Sequence, residues 1–128
     1  MHPVAGFRLG TGSAGIKKPG KKDLVIMAFD EGATVAGCFT KNAFCAAPVQ
    51  LAKAHLLTAA PRFLVTNTGN ANAGTGQQGL ADAKTVCQAL ADLAGCEVEQ
   101  VLPYSTGVIG EPLSVGKIVS ALAATLAN

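Results

Sequence analysis

Phe63-Leu64-Val65-Thr66-Asn67, the glycine- and asparagine-rich run Thr68 to Gly76, an apolar series from Leu80 to Ala94, and then Val101-Leu102-Pro103-Tyr104-Ser105: this order of segments decides the fold. The two short runs rich in branched and aromatic side chains read as strands. Between them Leu80, Ala83, Val86, Cys87, Leu90 and Leu93/Ala94 recur at the spacing of one helix face. Thr75 and Gln78 have capping-box spacing, Asp82 is assigned to the first turn near the positive dipole end, and Gly95 is suited to end the helix. Strand, helix, strand predicts an α/β chain.

Working outward, Gly6 to Gly20 reads as one short strand followed by a glycine-rich loop. Asp23 to Phe29 and Ala33 to Thr40 are both strand-like, and Asp30-Glu31-Gly32 between them predicts a β-hairpin. Pro48 suits the first position of a helix whose apolar face is Val49, Leu51, Ala52, Leu56 and Ala59, with Pro61 ending it. Beyond Ser105 the chain enters Thr106-Gly107-Val108-Ile109-Gly110, and Ser114 is placed to cap a last helix running to Leu126. The expectation is a single domain over residues 1–128, with a mixed sheet covered by helices.

The 128 residues allow one domain with a real core. Hydrophobic residues make up 49% but aromatics only 5%, so close packing of small side chains must supply much of that core. The charged fraction, 14%, is low for a free-standing domain and suggests surface that a further segment or subunit covers. A net charge of +2 argues against nucleic acid and membrane partners. Lys17, Lys18, Lys21 and Lys22 lack the stacking aromatics of a nucleic-acid groove and read as a solvated loop. No apolar run reaches the length of a membrane span, and the start has no signal architecture, so a cytoplasmic location is expected. Cys38, Cys45, Cys87 and Cys96 follow no zinc or redox spacing and read as small buried hydrophobes. With His2 and His55 the only histidines, no metal site is expected.

Gly74-Thr75-Gly76-Gln77-Gln78-Gly79 matches G-x-G-x-x-G, yet the six residues Thr68 to Ala73 separate it from the strand. A dinucleotide fingerprint needs its first glycine at the strand end. Glu97 or Glu99 stands at about the right distance for its acid, but no clear second strand carries it, so a nucleotide-binding oxidoreductase ranks third among the readings. Asn67, Asn70 and Asn72 can close tight turns, or alternatively line a pocket for a small ligand. Ser105-Thr106-Gly107-Val108-Ile109-Gly110 leaves a strand end without bulk. A hydroxyl at Thr106 and a backbone N–H at Gly107 could together form an oxyanion hole. On spacing alone a plain strand-to-helix turn explains the same residues.

Several segments, in order, are similar to the ornithine acetyltransferase family of arginine biosynthesis. They are Ala14-Gly15-Ile16 with Asp23-Leu24, Phe39-Thr40-x-Asn42, Ala46-Ala47-Pro48-Val49, Asn67-x-Gly69-Asn70-Ala71-Asn72-Ala73, Gly79-Leu80-x-Asp82-Ala83, and Ser105 to Gly110 followed by x-Pro112-Leu113. The resemblance implies a layered sandwich of mixed sheets and helices. It also implies a multifunctional enzyme that cleaves itself into α and β chains, assembled as an α2β2 heterotetramer. The new N-terminal threonine of β takes acetyl from N-acetylornithine and passes it to glutamate; some members also use acetyl-CoA as a co-substrate, and no bound cofactor is implied. Thr106 and Gly107 are then the oxyanion donors. The family's cleavage segment and nucleophile are absent, so the chain is expected to be an incomplete α chain, inactive alone. Asn42-Ala43 stands where relatives often carry Asn-Arg, and Gly20 falls in a turn that is often more polar; neither touches the oxyanion motif. The competing expectation is a non-catalytic module that binds a small ligand or a partner subunit.

Overall fold

The computed structural model describes residues 2–128. Its strands are β1 (Phe7–Gly12), β2 (Leu24–Phe29), β3 (Phe63–Asn70) and β4 (Val101–Val108); its helices are α1 (Ala47–Thr58), α2 (Gly76–Ala94) and α3 (Val115–Ala127). The strands form one sheet in the order β1-β2-β3-β4. The first two pairings are antiparallel and β3–β4 is parallel, which requires the crossover that α2 supplies. This is the mixed α/β arrangement expected.

Alternation along the strands sends Leu24, Ile26, Phe63, Val65 and Val101 into the core. There they meet Val86, Cys87 and Leu90 of α2 and Ile118 and Leu122 of α3. The helices pack on this face: α3 lies on β1 and β2, α2 on β4. Small residues permit the close approach inferred from composition, since a Cβ on Gly10 would stand 2.1 Å from the carbonyl oxygen of Thr125. The alternate residues Val25, Met27, Leu64 and Thr66 stay half-buried, and Leu9 is 39% exposed. No helix covers that second face among the described residues.

The hairpin expected at Asp30–Gly32 does not form. A turn is present, with the Ala33 N–H on the Asp30 carbonyl at 3.2 Å, but residues 33–40 leave the sheet as irregular chain. Both edges of β2 are already taken, by β1 and by β3, so no ladder remains for a returning strand. Cys38 is consequently exposed, against the expectation of burial, whereas Cys87 is fully buried and its thiol is pushed up to about 12 by that burial.

The helix ends differ in detail. Thr75 precedes α2 but does not cap it: its backbone, φ −107° and ψ 0°, is not the extended one a capping residue needs. Its hydroxyl donates instead to Asn72 Oδ1, and Gln78 bonds Asp82, which lies in the second turn rather than the first. Ser114 likewise makes no capping bond, and Pro48 is the second residue of α1. Gly95 does end α2 in the left-handed conformation, φ +73°. Leu93 is exposed, and Ala91 takes its expected place in the core.

At the start of β2, Asp23 is 1% exposed. Its carboxylate accepts N–H bonds from Ala14 at 2.6 Å, Ile16 at 2.8 Å and Lys17 at 3.1 Å, fixing the glycine-rich loop after β1. Burial alone would raise its pKa; the donated amides of Ala14, Lys17 and Ile16 outweigh that and hold it below its ordinary value.

Candidate active site

β4 is an edge strand, and its end carries the residues singled out by sequence. Near its start His55 of α1, 5% exposed, donates from Nδ1 to the outward carbonyl of Val101 at 2.8 Å. A buried sheet edge needs such a partner for its backbone groups, and α1 provides it. His55 was not among the expected face residues of α1; its polar ring hid a buried role. Pro103, next on that outward edge by alternation, has no N–H to leave unsatisfied.

Further along, Thr68↔Thr106 and Gly69↔Gly107 are in parallel register, so β3 and β4 end on the same Thr-Gly dipeptide side by side. The ladder then shifts: Asn70 pairs with both Thr106 and Val108, and the Ala71 N–H bonds the Val108 carbonyl at 2.9 Å. Gly107 has φ +130°, and a Cβ there would lie 2.4 Å from the carbonyl carbon of Gly69. Only glycine allows this approach. With Val101 turned outward and Val108 turned to β3, alternation directs the Gly107 N–H to the outer edge. Thr106 projects its side chain from the face shared with Tyr104 and Thr68. Both Thr106 and Gly107 are exposed, so nothing among the described residues walls them in.

Nearby groups set the character of this corner. Burial pushes the Tyr104 phenol above its usual pKa. The Thr68 hydroxyl oxygen, in register with Thr106, is buried without a hydrogen-bond partner among the described residues. A cavity of about 240 Å³ runs along the outer edge just before the Thr-Gly pair, between residues 37–40, the start of α1 and Pro103–Ser105.

The asparagines expected either to close turns or to line a pocket do the former. Asn67, Asn70 and Asn72 are 5%, 4% and 0% exposed. Asn72 Nδ2 donates to the Gly79 carbonyl at 2.9 Å, and its Oδ1 accepts the Thr75 hydroxyl at 2.8 Å. Asn67 accepts from the Ser105 hydroxyl and donates to the Asn70 carbonyl at 2.9 Å. These amides are spent inside the chain. Thr-Gly recurs at 68–69 and 106–107, but also at 11–12 and 75–76, so no sequence signal joined this loop to the candidate site.

The fold has close counterparts. The ornithine acetyltransferase of Mycobacterium tuberculosis, solved in complex with ornithine, superposes with a TM-score of 0.92 at 34% identity, covering 97% of this chain and 67% of that one. The arginine biosynthesis bifunctional protein ArgJ of Bacillus halodurans gives 0.86 at 32% identity, covering 91% and 61%. Among curated relatives, the proteins of the same name from Pseudomonas fluorescens and Pseudomonas syringae pv. tomato are 64% and 62% identical over 126 residues. The chain spans about a third of their length, 31% in each case. The model of the ArgJ family matches residues 8–128. With the family model matching nearly the whole chain and the fold shared over the same span, this protein belongs to the ArgJ family of arginine biosynthesis.

Proposed function

We propose that this chain is the oxyanion-stabilising part of an N-acetyltransferase that moves acetyl from N-acetylornithine to glutamate, the nucleophile being supplied by another segment. The observation that carries this is the exposed end of β4, where Thr106 and Gly107 stand side by side in register with Thr68 and Gly69. A threonine hydroxyl presented there attacks the acetyl carbonyl, its proton passing to a nearby amine, and the carbonyl oxygen becomes an anion. Thr106 and Gly107 donate to that oxygen. Collapse expels ornithine, whose leaving nitrogen takes up the proton, and leaves acetyl-threonine. The amine of glutamate then attacks, its proton passing to the same nearby amine, and the same oxygen again becomes anionic. Collapse breaks the bond to threonine, whose oxygen takes that proton back, and releases acetylglutamate. Two fixed donors stabilise the intermediate at each passage, and losing one such donor typically slows a reaction by about a hundredfold to a thousandfold.

The partner in this proposal is a β chain with an N-terminal threonine, generated by autocatalytic cleavage, in a cytoplasmic α2β2 assembly. The half-buried sheet face opposite the helices, with Leu9 and Tyr104 39% and 40% exposed, is consistent with cover from such a segment. Among the described residues no helix is long and apolar enough to cross a membrane. Acetyl-CoA as a second acetyl donor belongs to the same proposal and needs no further group from this chain. A purely ligand-binding module gains no support from the asparagine loop, whose amides are already satisfied internally. The test is direct. The pure 128-residue chain is expected to show no acetyl transfer, and mixing it with the complementary remainder of the parent protein to restore it. Turnover by the chain alone would refute the division of labour.

A further inference from the structure

We propose that Asn70 is a positioning residue for the Thr106–Gly107 donors, an inference that rests on the oxyanion assignment above. The two donors sit at the exposed end of an edge strand, where backbone ordinarily frays. Their segment is held from both sides by one buried turn of β3. On the near side Asn67 holds Ser105 through its hydroxyl. On the far side Asn70 Nδ2 donates to the Pro112 carbonyl at 2.7 Å and the Glu111 carbonyl at 3.4 Å. The Asn70 carboxamide is itself locked, its Oδ1 accepting the Asn72 N–H at 2.8 Å and its backbone carbonyl accepting Asn67 Nδ2 at 2.9 Å. Between these ties, among the described residues, two backbone bonds outside the β3–β4 ladder hold the segment, Ala71 N–H to Val108 at 2.9 Å and Gly110 N–H to Ala73 at 2.8 Å.

Asn70 lies outside the apolar core cluster and is 4% exposed. Its donor ties the path of residues 106–112 to β3 at the Pro112 carbonyl, one residue before core residue Leu113. Displacing a catalytic donor by about 1 Å is enough to cost on the order of a hundredfold in rate.

The experiment uses the complete parent enzyme. Asn70→Asp keeps the size of the side chain but puts an acceptor where Nδ2 donated, against two carbonyl oxygens. The expected result is a kcat for acetyl transfer lower by about tenfold to a hundredfold, with KM for N-acetylornithine changed less than about threefold. In a Thr106→Ala background the same change is expected to cost clearly less than in the parent, because one of the two donors it positions is gone. Equal costs in both backgrounds, or an unchanged kcat, overturn the positioning role. Thr106→Ala with full kcat overturns the oxyanion assignment instead, so the two failures are distinct. Should Asn70→Asp yield no soluble enzyme, Asn70→Ser removes the Nδ2 donor without setting a charge against the Pro112 carbonyl and carries the same expectation: lower kcat, steady KM and a cost that shrinks beside Thr106→Ala. Multiplicative costs there count against the proposal equally.

Discussion

Replacing Gly107 by alanine puts a methyl group where the β3 backbone already is. The new carbon would lie 2.4 Å from the Gly69 carbonyl carbon and 2.6 Å from the Asn70 nitrogen. Carbon atoms rest about 3.5–4.0 Å apart, so the two strand ends would have to separate by roughly 1 Å. Neither neighbour is a flexible side chain that could swing away. The conformation adds to the cost, because φ +130° is one that L-residues rarely adopt. Strain of this kind amounts to about 1–3 kcal/mol, and overpacking to about 1–3 kcal/mol. Together they predict a loss of about 2–6 kcal/mol, a large part of the ~5–15 kcal/mol that holds a domain folded. Urea unfolding followed by far-UV circular dichroism measures it. Gly116→Ala is the control: nothing lies within 4 Å of its Cβ and it is helical, so stability should hold or rise. If Gly107→Ala unfolded at the parent's urea midpoint, the close approach of the two strand ends would be wrong.

Three other outcomes follow from the packing and the charges. Asp23 has a folded pKa below its unfolded one, so its contribution to stability is complete above about pH 4 and is lost as pH falls through the lower folded value; urea midpoints from pH 7 to pH 2 should fall on the acid side for the parent and less steeply for Asp23→Asn, which should already be weaker at pH 7. Leu90→Ala empties a fully buried position between helix and sheet and should cost about 2–5 kcal/mol in the same assay. In the isolated chain a thiol reagent should modify exposed Cys38 rapidly and leave Cys87 untouched until unfolding, as mass mapping of the adducts would show.

Much of the fold was legible because its signals are periodic. The helical spacing of Ala83, Val86, Cys87 and Leu90 gave the extent of α2, and the runs on either side gave the starts of β3 and β4. Both strands continue three residues past the expected ends at Asn67 and Ser105, to Asn70 and Val108. What misled was the segment 33–40, whose composition suits a strand but which meets no free sheet edge. Pairing is a property of the whole sheet, and no local window contains it. Thr75 fails as a cap for a related reason: its backbone angles are set by the amide-lined turn before α2. At the candidate site, Thr106 and Gly107 could be named from their motif, but Gly69, Asn70 and His55 could not. Their importance lies in contacts across 38 or more residues, such as Gly69 against Gly107 and His55 on Val101, 46 residues apart.

Steady-state kinetics of Thr106→Ala and Thr106→Ser in the complete enzyme reach furthest into the mechanism. Removing the hydroxyl should lower kcat for acetyl transfer about a hundredfold or more while KM moves little, and serine should restore most of the rate. An alanine enzyme that turns over like the parent would mean that no anion ever forms in front of this strand end.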